Sequence, residues 1–302
     1  AKASGGVKDA LLLGCAIQLW VVEGTGISVQ QFSVAHVDTS FVYAGDGNYG
    51  QMLIEEDVTE RVRELLPEVP AWLANHRDIL DSPMPGIKMG AQCKPDCQFE
   101  AHCELGLTEY PVSILPNGRK VITDLQDAGI EDVRDIPDGV LKNERHITVW
   151  QATRTNQPFI SPVLKAELGK LSYPRFYLDF ETINFAIPRW AGTRPHQQLP
   201  FQWSCHIEKQ GRALEHREFL DTSGNAPMRA FAESLIAAVE NDGPIIVYGA
   251  FESTVLKGLI TFCPDLDTPL NDIIDRLVNL LPWLQNHYYH PAMKGSWSIK
   301  AV

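Results

Sequence analysis

The 302-residue sequence predicts an α/β chain whose C-terminal part is built on a mixed β-sheet. Three observations carry that expectation. From Phe176 onward, branched and aromatic runs alternate with amphipathic stretches in the order strand, strand, strand, helix, strand, helix (βββαβα). Apolar residues make up 44% and charged residues 21% of the chain, the proportions of a folded globular protein. No apolar run approaches the roughly 20 residues of a membrane-spanning helix, and Ala1-Lys2-Ala3-Ser4 opens without the apolar core of a secretory signal. The chain is therefore expected to be soluble and cytoplasmic, with no membrane partner. Its ends, Ala1 and Val302, carry no tapering polar tail and are read as cuts within a longer protein.

Three zones follow one another. In the first, Leu11, Cys15, Gln18, Leu19 and Val22 recur near helical spacing and predict a helix over Val7–Val22, ended by Gly24-Thr25-Gly26. A strand is expected from Ser28 to Val37, then a turn at Ala44-Gly45-Asp46-Gly47-Asn48. Helices are expected over Glu55–Leu66 and Ala71–Leu80, and Pro83-Met84-Pro85-Gly86 leads into a cysteine cluster. The second zone, 106–170, reads as a helical connector with a small helix-turn-helix or hairpin between Val121 and Ile130. The third, 171–302, has expected strands at Phe176–Phe180, Phe201–Ile207, Arg217–Leu220 and Pro244–Tyr248. Helices are expected at Ala226–Glu240, Glu252–Phe262 and Leu270–Leu281, with a β-type run at Trp297–Val302. The expected domains are accordingly 1–105, 106–170 and 171–302.

The chemistry concentrates in the third zone. Asp179 and Glu181 are two residues apart on an apolar strand, so both side chains leave the same face. Two carboxylates so placed repel each other and lose hydration, and a bound divalent ion removes both penalties. An isolated Asp-x-Glu is usually solvated surface. Here Glu252 adds a third acid directly after the expected strand Pro244–Tyr248, at a helix start. Alone, Glu252 would be a dipole-favoured N-terminal acid; with the pair it suggests a metal site for Mg²⁺ or Mn²⁺. A glycosidase-type acid and base is less suitable, because those carboxylates flank a bond several ångströms apart. A net charge of −12 means that phosphate contacts must come from a local basic strip, for which Lys165, Lys170, Arg175, Arg189 and Arg194 are candidates.

Cys93, Cys97 and Cys103 lie close enough in sequence to share one soft metal centre, either an iron–sulfur cluster or zinc with His102. Cys15, Cys205 and Cys263 are scattered and read as small buried apolar residues.

The segment Tyr177-Leu178-Asp179-Phe180-Glu181-Thr182 resembles the first motif of the DEDD exonucleases, which have an RNase H-like fold. Tyr248-Gly249-Ala250-Phe251-Glu252 is similar to their second motif, with Glu252 where most members have Asp. Together with Pro200-Phe201-Gln202, His290-Pro291 and Gly295-Ser296-Trp297-Ser298-Ile299-Lys300, these segments resemble an uncharacterised bacterial RNase H-like family. That family is found C-terminal to a RecB-like nuclease segment of the restriction-endonuclease type. The chain departs from it at Asn279, where an acid is usual, and the last DEDD carboxylate would fall beyond Val302. The cysteine triplet is similar to that of iron–sulfur RecB-like nucleases, whose fourth cysteine would precede Ala1. Lys2 then takes the place of the catalytic lysine of the Glu-x-Lys strand, and Gln18 that of a helix glutamine, although Val22 stands where a tyrosine is usual. The resemblance implies the back half of a RecB-like module over 1–105 and a DEDD-type exonuclease module over 171–302. It implies hydrolysis of phosphodiester bonds in nucleic acid, with DNA placed ahead of RNA, metal ligation by Asp179, Glu181 and Glu252, and Lys300 as a candidate phosphate contact. The rival from another class is a non-catalytic nucleic-acid-binding or scaffold protein with a structural metal at the cysteines, which Asn279 and the acidic balance favour.

Overall fold

The structure is a computed structural model that describes residues 5–83, 97–240 and 242–302. Within it the chain forms two compact units that interleave along the sequence. The first comprises residues 5–83, 181–202 and 220–231; the second comprises 97–180, 203–219 and the described part of 232–302.

The first unit opens with α1 (Asp9–Gly24). Its buried residues Leu12, Cys15, Ala16 and Leu19 follow helical spacing and pack with Val34, Val58, Val62 and Val69. Strands β1 (Ser33–Val37) and β2 (Leu53–Asp57) pair antiparallel, from Ser33 opposite Asp57 to Val37 opposite Leu53. The helix expected from Glu55 starts later, as α2 (Thr59–Leu65). Glu55 and Glu56 belong to β2, and an Asp57 oxygen accepts the Thr59 backbone N–H at 2.9 Å, which makes Asp57 the turn into the helix. A further helix, α3, spans Val69–Asp81.

In the second unit the expected connector has a core of its own. Helices α4 (Glu100–Glu104), α5 (Arg119–Asp127) and α6 (Glu144–Thr155) precede the short strand β3 (Phe159–Ile160) and α7 (Pro162–Gly169). Val112, Leu115, Ile122, Leu125, Val133, Ile136 and Val149 are buried together with Tyr289, Met293 and Trp297, far along the sequence. The run Trp297–Val302 is therefore not a strand. Its indole ring is committed to this core, and the indole N–H donates to the Tyr288 carbonyl at 2.9 Å.

The sheet uses β4 (Arg175–Ile183), β5 (Leu199–Glu208), β6 (Glu215–Leu220), β7 (Ile245–Val247) and β8 (Leu277–Asn279). Helices α8 (Met228–Ala238), α9 (Phe251–Phe262) and α10 (Asp267–Asp275) connect its later strands, and α11 (Leu280–His287) leads into β9 (Tyr288–Tyr289), which pairs with β3. The strand order is β6-β5-β4-β7-β8, with β4, β7 and β8 mutually parallel. The helix expected over Leu270–Leu281 is thus interrupted: Leu277–Asn279 is a strand held by β7.

One sheet face is covered. Phe176, Leu178 and Phe180 of β4 and Trp203, Cys205 and Ile207 of β5 are buried, and α8 is tied to that face by Trp203 Nε1 donating to Ser234 Oγ at 2.9 Å. The alternate residues Tyr177, Asp179, Ser204 and His206 occupy the opposite, more open face.

Candidate functional site

The order of strands creates the site. From β4 the chain moves to β5 on one side of the sheet, and later returns to place β7 on the other side of β4. Segments leaving two parallel neighbours in opposite directions open a crevice beyond their carboxyl ends. A cavity of about 470 Å³ lies there. Asp179 and Tyr177 of β4, Ser204 and His206 of β5, and Tyr248 and Glu252 after β7 line it, with apolar walls from Ile246, Val247, Leu280 and Ile299.

Glu252 is the unusual member. It sits in the first turn of α9, yet is only 4% exposed. Its Oε2 has no hydrogen-bond partner among the described residues. Burial raises its pKa above the ordinary carboxylate value, and the charge of Asp179 adds to that rise. A buried acceptor in this state is costly for the fold unless something binds it.

Asn279 fixes the approach to Glu252. At the end of β8 it lies opposite Val247, and its Oδ1 accepts both the Gly249 N–H at 2.9 Å and the Leu281 N–H at 3.0 Å. One side chain therefore caps α11 and holds the turn between β7 and α9. Gly249 has φ of +122°, a conformation that glycine adopts without the strain of a side chain. Tyr248 donates its hydroxyl to the Trp297 carbonyl at 2.5 Å, and Tyr177 donates to Glu208 Oε2 at 2.6 Å. Burial, then the Glu208 carboxylate, raises the pKa of the Tyr177 phenol.

Of the expected metal ligands, Asp179 and Glu252 line the same cavity. Glu181 leaves the same strand face as Asp179, is exposed, and does not line the cavity. Lys2 and Cys93 lie outside the described residues. Cys97 is an exposed free thiol and Cys103 a half-buried one in α4. Among the described residues, no three His, Cys, Asp or Glu side chains are gathered in a preformed metal cage. Cys15, Cys205 and Cys263 are buried, and desolvation pushes the Cys205 thiol up to about 12.

Sequence reasoning missed Ser204 and His206. The signal was their alternation with Trp203, Cys205 and Ile207 on a strand, which puts polar side chains on the Asp179 face. His206 stacks on His216 of β6 with centroids 4.5 Å apart, and Ser204 Oγ lies 3.0 Å from His216 Nε2. The expected basic strip is only partly free. Lys170 pairs with Glu167 at 2.6 Å and Arg175 with Glu208 at 3.5 Å, while Lys165, Arg189 and Arg194 are exposed.

Fold and site together define an α/β protein with a carboxylate-bearing crevice at the ends of parallel strands, and no described helix is long and apolar enough to cross a membrane. Residues 176–298, which span that crevice, match a family described as a domain of unknown function (DUF2779). No curated protein and no solved structure matches the chain.

Proposed function

We propose that the crevice is the site of a metal-dependent, RNase H-like phosphodiesterase acting on nucleic acid. The observation that carries this reading is the buried Glu252, which lines the same cavity as Asp179, has an unpartnered Oε2 and has its pKa raised. An orphan carboxylate beside a second one fits a hard divalent cation by its donor chemistry. Asp179 and Glu252 would hold Mg²⁺ or Mn²⁺, with Glu181 one pleat further along β4. Such an ion, when bound, supplies Lewis-acid polarisation of a phosphodiester and makes water more acidic. The protein supplies the rest: Asn279 holds the turn before Glu252, and Ile246, Val247, Leu280 and Ile299 give the cavity apolar walls. The strand order, with three consecutive neighbours and a parallel crossover to the far side of the first, supports the RNase H-like reading.

Asn279 does not weaken the proposal. Its oxygen is occupied by two backbone donors, so it serves the turn without adding a charge beside Glu252. Cys93, Cys97 and Cys103 are proposed to ligate an iron–sulfur cluster, or zinc, in the protein that contains the RecB-like module; iron, sulfide and zinc content of anaerobically purified protein tests this. For the crevice, Mn²⁺ titration calorimetry and cleavage of a labelled single-stranded oligonucleotide form one test. Wild type is expected to bind Mn²⁺ and cleave; Asp179→Asn and Glu252→Gln are expected to lose both while keeping the circular dichroism of the fold. Mn²⁺ binding unchanged in both variants would reject the site.

A further inference from the structure

The 184–198 loop between β4 and β5 contains Arg189, Arg194 and His196 and no Asp or Glu, in a chain of net charge −12. A loop of this length without strands or helices is usually either disordered or functional. This one is held firmly, by contacts within the first unit. His196 N–H donates to the Phe185 carbonyl at 2.7 Å and closes its base. Gly192 N–H donates to the Tyr43 carbonyl at 2.8 Å, and Tyr43 N–H to the Thr193 carbonyl at 3.0 Å. The Tyr49 hydroxyl donates to the Pro188 carbonyl at 3.0 Å, and Trp190 Nε1 to the Gly224 carbonyl at 3.2 Å. Thr193 is fully buried, so the loop has a small core.

This fixed loop displays cations and rings. The Arg189 guanidinium lies over the Phe185 ring at 4.6 Å, and Phe185 meets Trp190 edge to face at 5.8 Å. Both arginines are exposed, and among the described residues neither has an acidic partner at ion-pair distance. Asp46, whose charge acts on Tyr49 as that of Arg189 does, accepts the Asn48 N–H of its own turn at 2.9 Å. Unneutralised guanidinium groups, that of Arg189 over a half-buried ring, on a loop held by backbone hydrogen bonds match alternating phosphates and flat bases.

We infer that this loop is a contact surface for single-stranded nucleic acid, with Arg189 and Arg194 on phosphates and the Phe185–Trp190 pair under unstacked bases. The inference rests on the nuclease reading for the identity of the polyanion. Unpaired strands are specified because a duplex hides its base faces from aromatic side chains.

The test uses the full chain in EDTA, with fluorescent oligothymidylate and oligouridylate of roughly 16 nucleotides, the upper site size of a single-strand module. Anisotropy titrations at several salt concentrations are expected to show Arg189→Gln/Arg194→Gln weakening both probes. The slope of log affinity against log salt should fall by about 1.4, at about 0.7 per phosphate contact. Phe185→Leu should weaken binding roughly five- to 150-fold, the range for loss of one stacked base. Lys120→Gln, at an exposed lysine paired with Asp124, should leave binding unchanged. Unchanged affinity in the double arginine variant, or equal competition by polyglutamate of the same length, overturns the inference. Should Phe185→Leu misfold, the arginine variants still decide. Mn²⁺ binding at Asp179 and Glu252 without any oligonucleotide binding would refute the loop and spare the crevice. Loop-dependent binding without Mn²⁺ binding would do the reverse.

Discussion

Replacing Glu252 by glutamine should stabilise the metal-free protein at neutral pH while abolishing metal binding. The carboxylate is buried, its Oε2 is unpartnered, and its pKa is raised by burial and then by Asp179. An unsatisfied buried polar group costs about 1–3 kcal/mol, and more when charged. Glutamine keeps the polar atoms and removes the charge, so the gain should be about 1–2 kcal/mol. At roughly 2–4 °C per kcal/mol for a domain of this size, that is a rise in Tm of about 2–8 °C. The pH dependence has a definite sign. A carboxyl whose folded pKa lies above its unfolded value contributes stability that is full below the unfolded value, here 4.5, and lost as pH rises through the folded one. The difference between variant and wild type should therefore be small at acid pH and grow towards neutrality. Differential scanning calorimetry in EDTA across that range measures it. Adding Mn²⁺ should raise the wild-type Tm and leave the variant where it was. A difference independent of pH, or an equal Mn²⁺ response in both proteins, would refute the reasoning.

Two further substitutions probe the frame of the site. Asn279→Ala removes the acceptor for the Gly249 and Leu281 N–H groups and should cost about 1–3 kcal/mol in urea unfolding. Arg276 donates to the carbonyls of Val239, Glu240, Asp242 and Gly243 just beyond α8, and burial lowers its pKa. Arg276→Met should lower the unfolding free energy by about 2 kcal/mol, seen as a reduced denaturant midpoint, since it strips charged donors from a helix end.

The sequence made β4 legible because its alternation is strict: Phe176, Leu178 and Phe180 inward, Tyr177, Asp179 and Glu181 outward. Glu252 was legible because it directly follows a short apolar strand. Other features depended on partners remote in sequence. Leu277–Asn279 is too short to show a period and merges with Leu280 and Leu281 into a helical pattern; only β7 makes it a strand. Leu53–Asp57 is an acidic strand whose identity comes from β1. The core shared by Val112, Val149, Tyr289 and Trp297 joins residues that no local pattern connects. The role of Asn279 follows from the parallel register that sets it opposite Val247, and so it was invisible before that register was known.

The same register bears on why an acid at Glu252 is compatible with a stable fold. The N-terminus of α9 favours a carboxylate there by about 0.3–1 kcal/mol at an exposed site, less than the usual cost of an unsatisfied buried charge. Asp179 increases the deficit by repulsion rather than reducing it. Moving the side chain into solvent would avoid the cost, but Asn279 holds the preceding turn, and Gly249 holds a conformation that most residues resist. The local structure thus keeps Glu252 where it is unfavourable in the protein alone. A structural role would be served as well by leucine or methionine, which would fill the apolar surroundings without an orphan oxygen. A carboxylate held in place beside another, at the ends of parallel strands, is instead what cation binding requires, and that is the physical ground on which metal-dependent chemistry is proposed for the crevice.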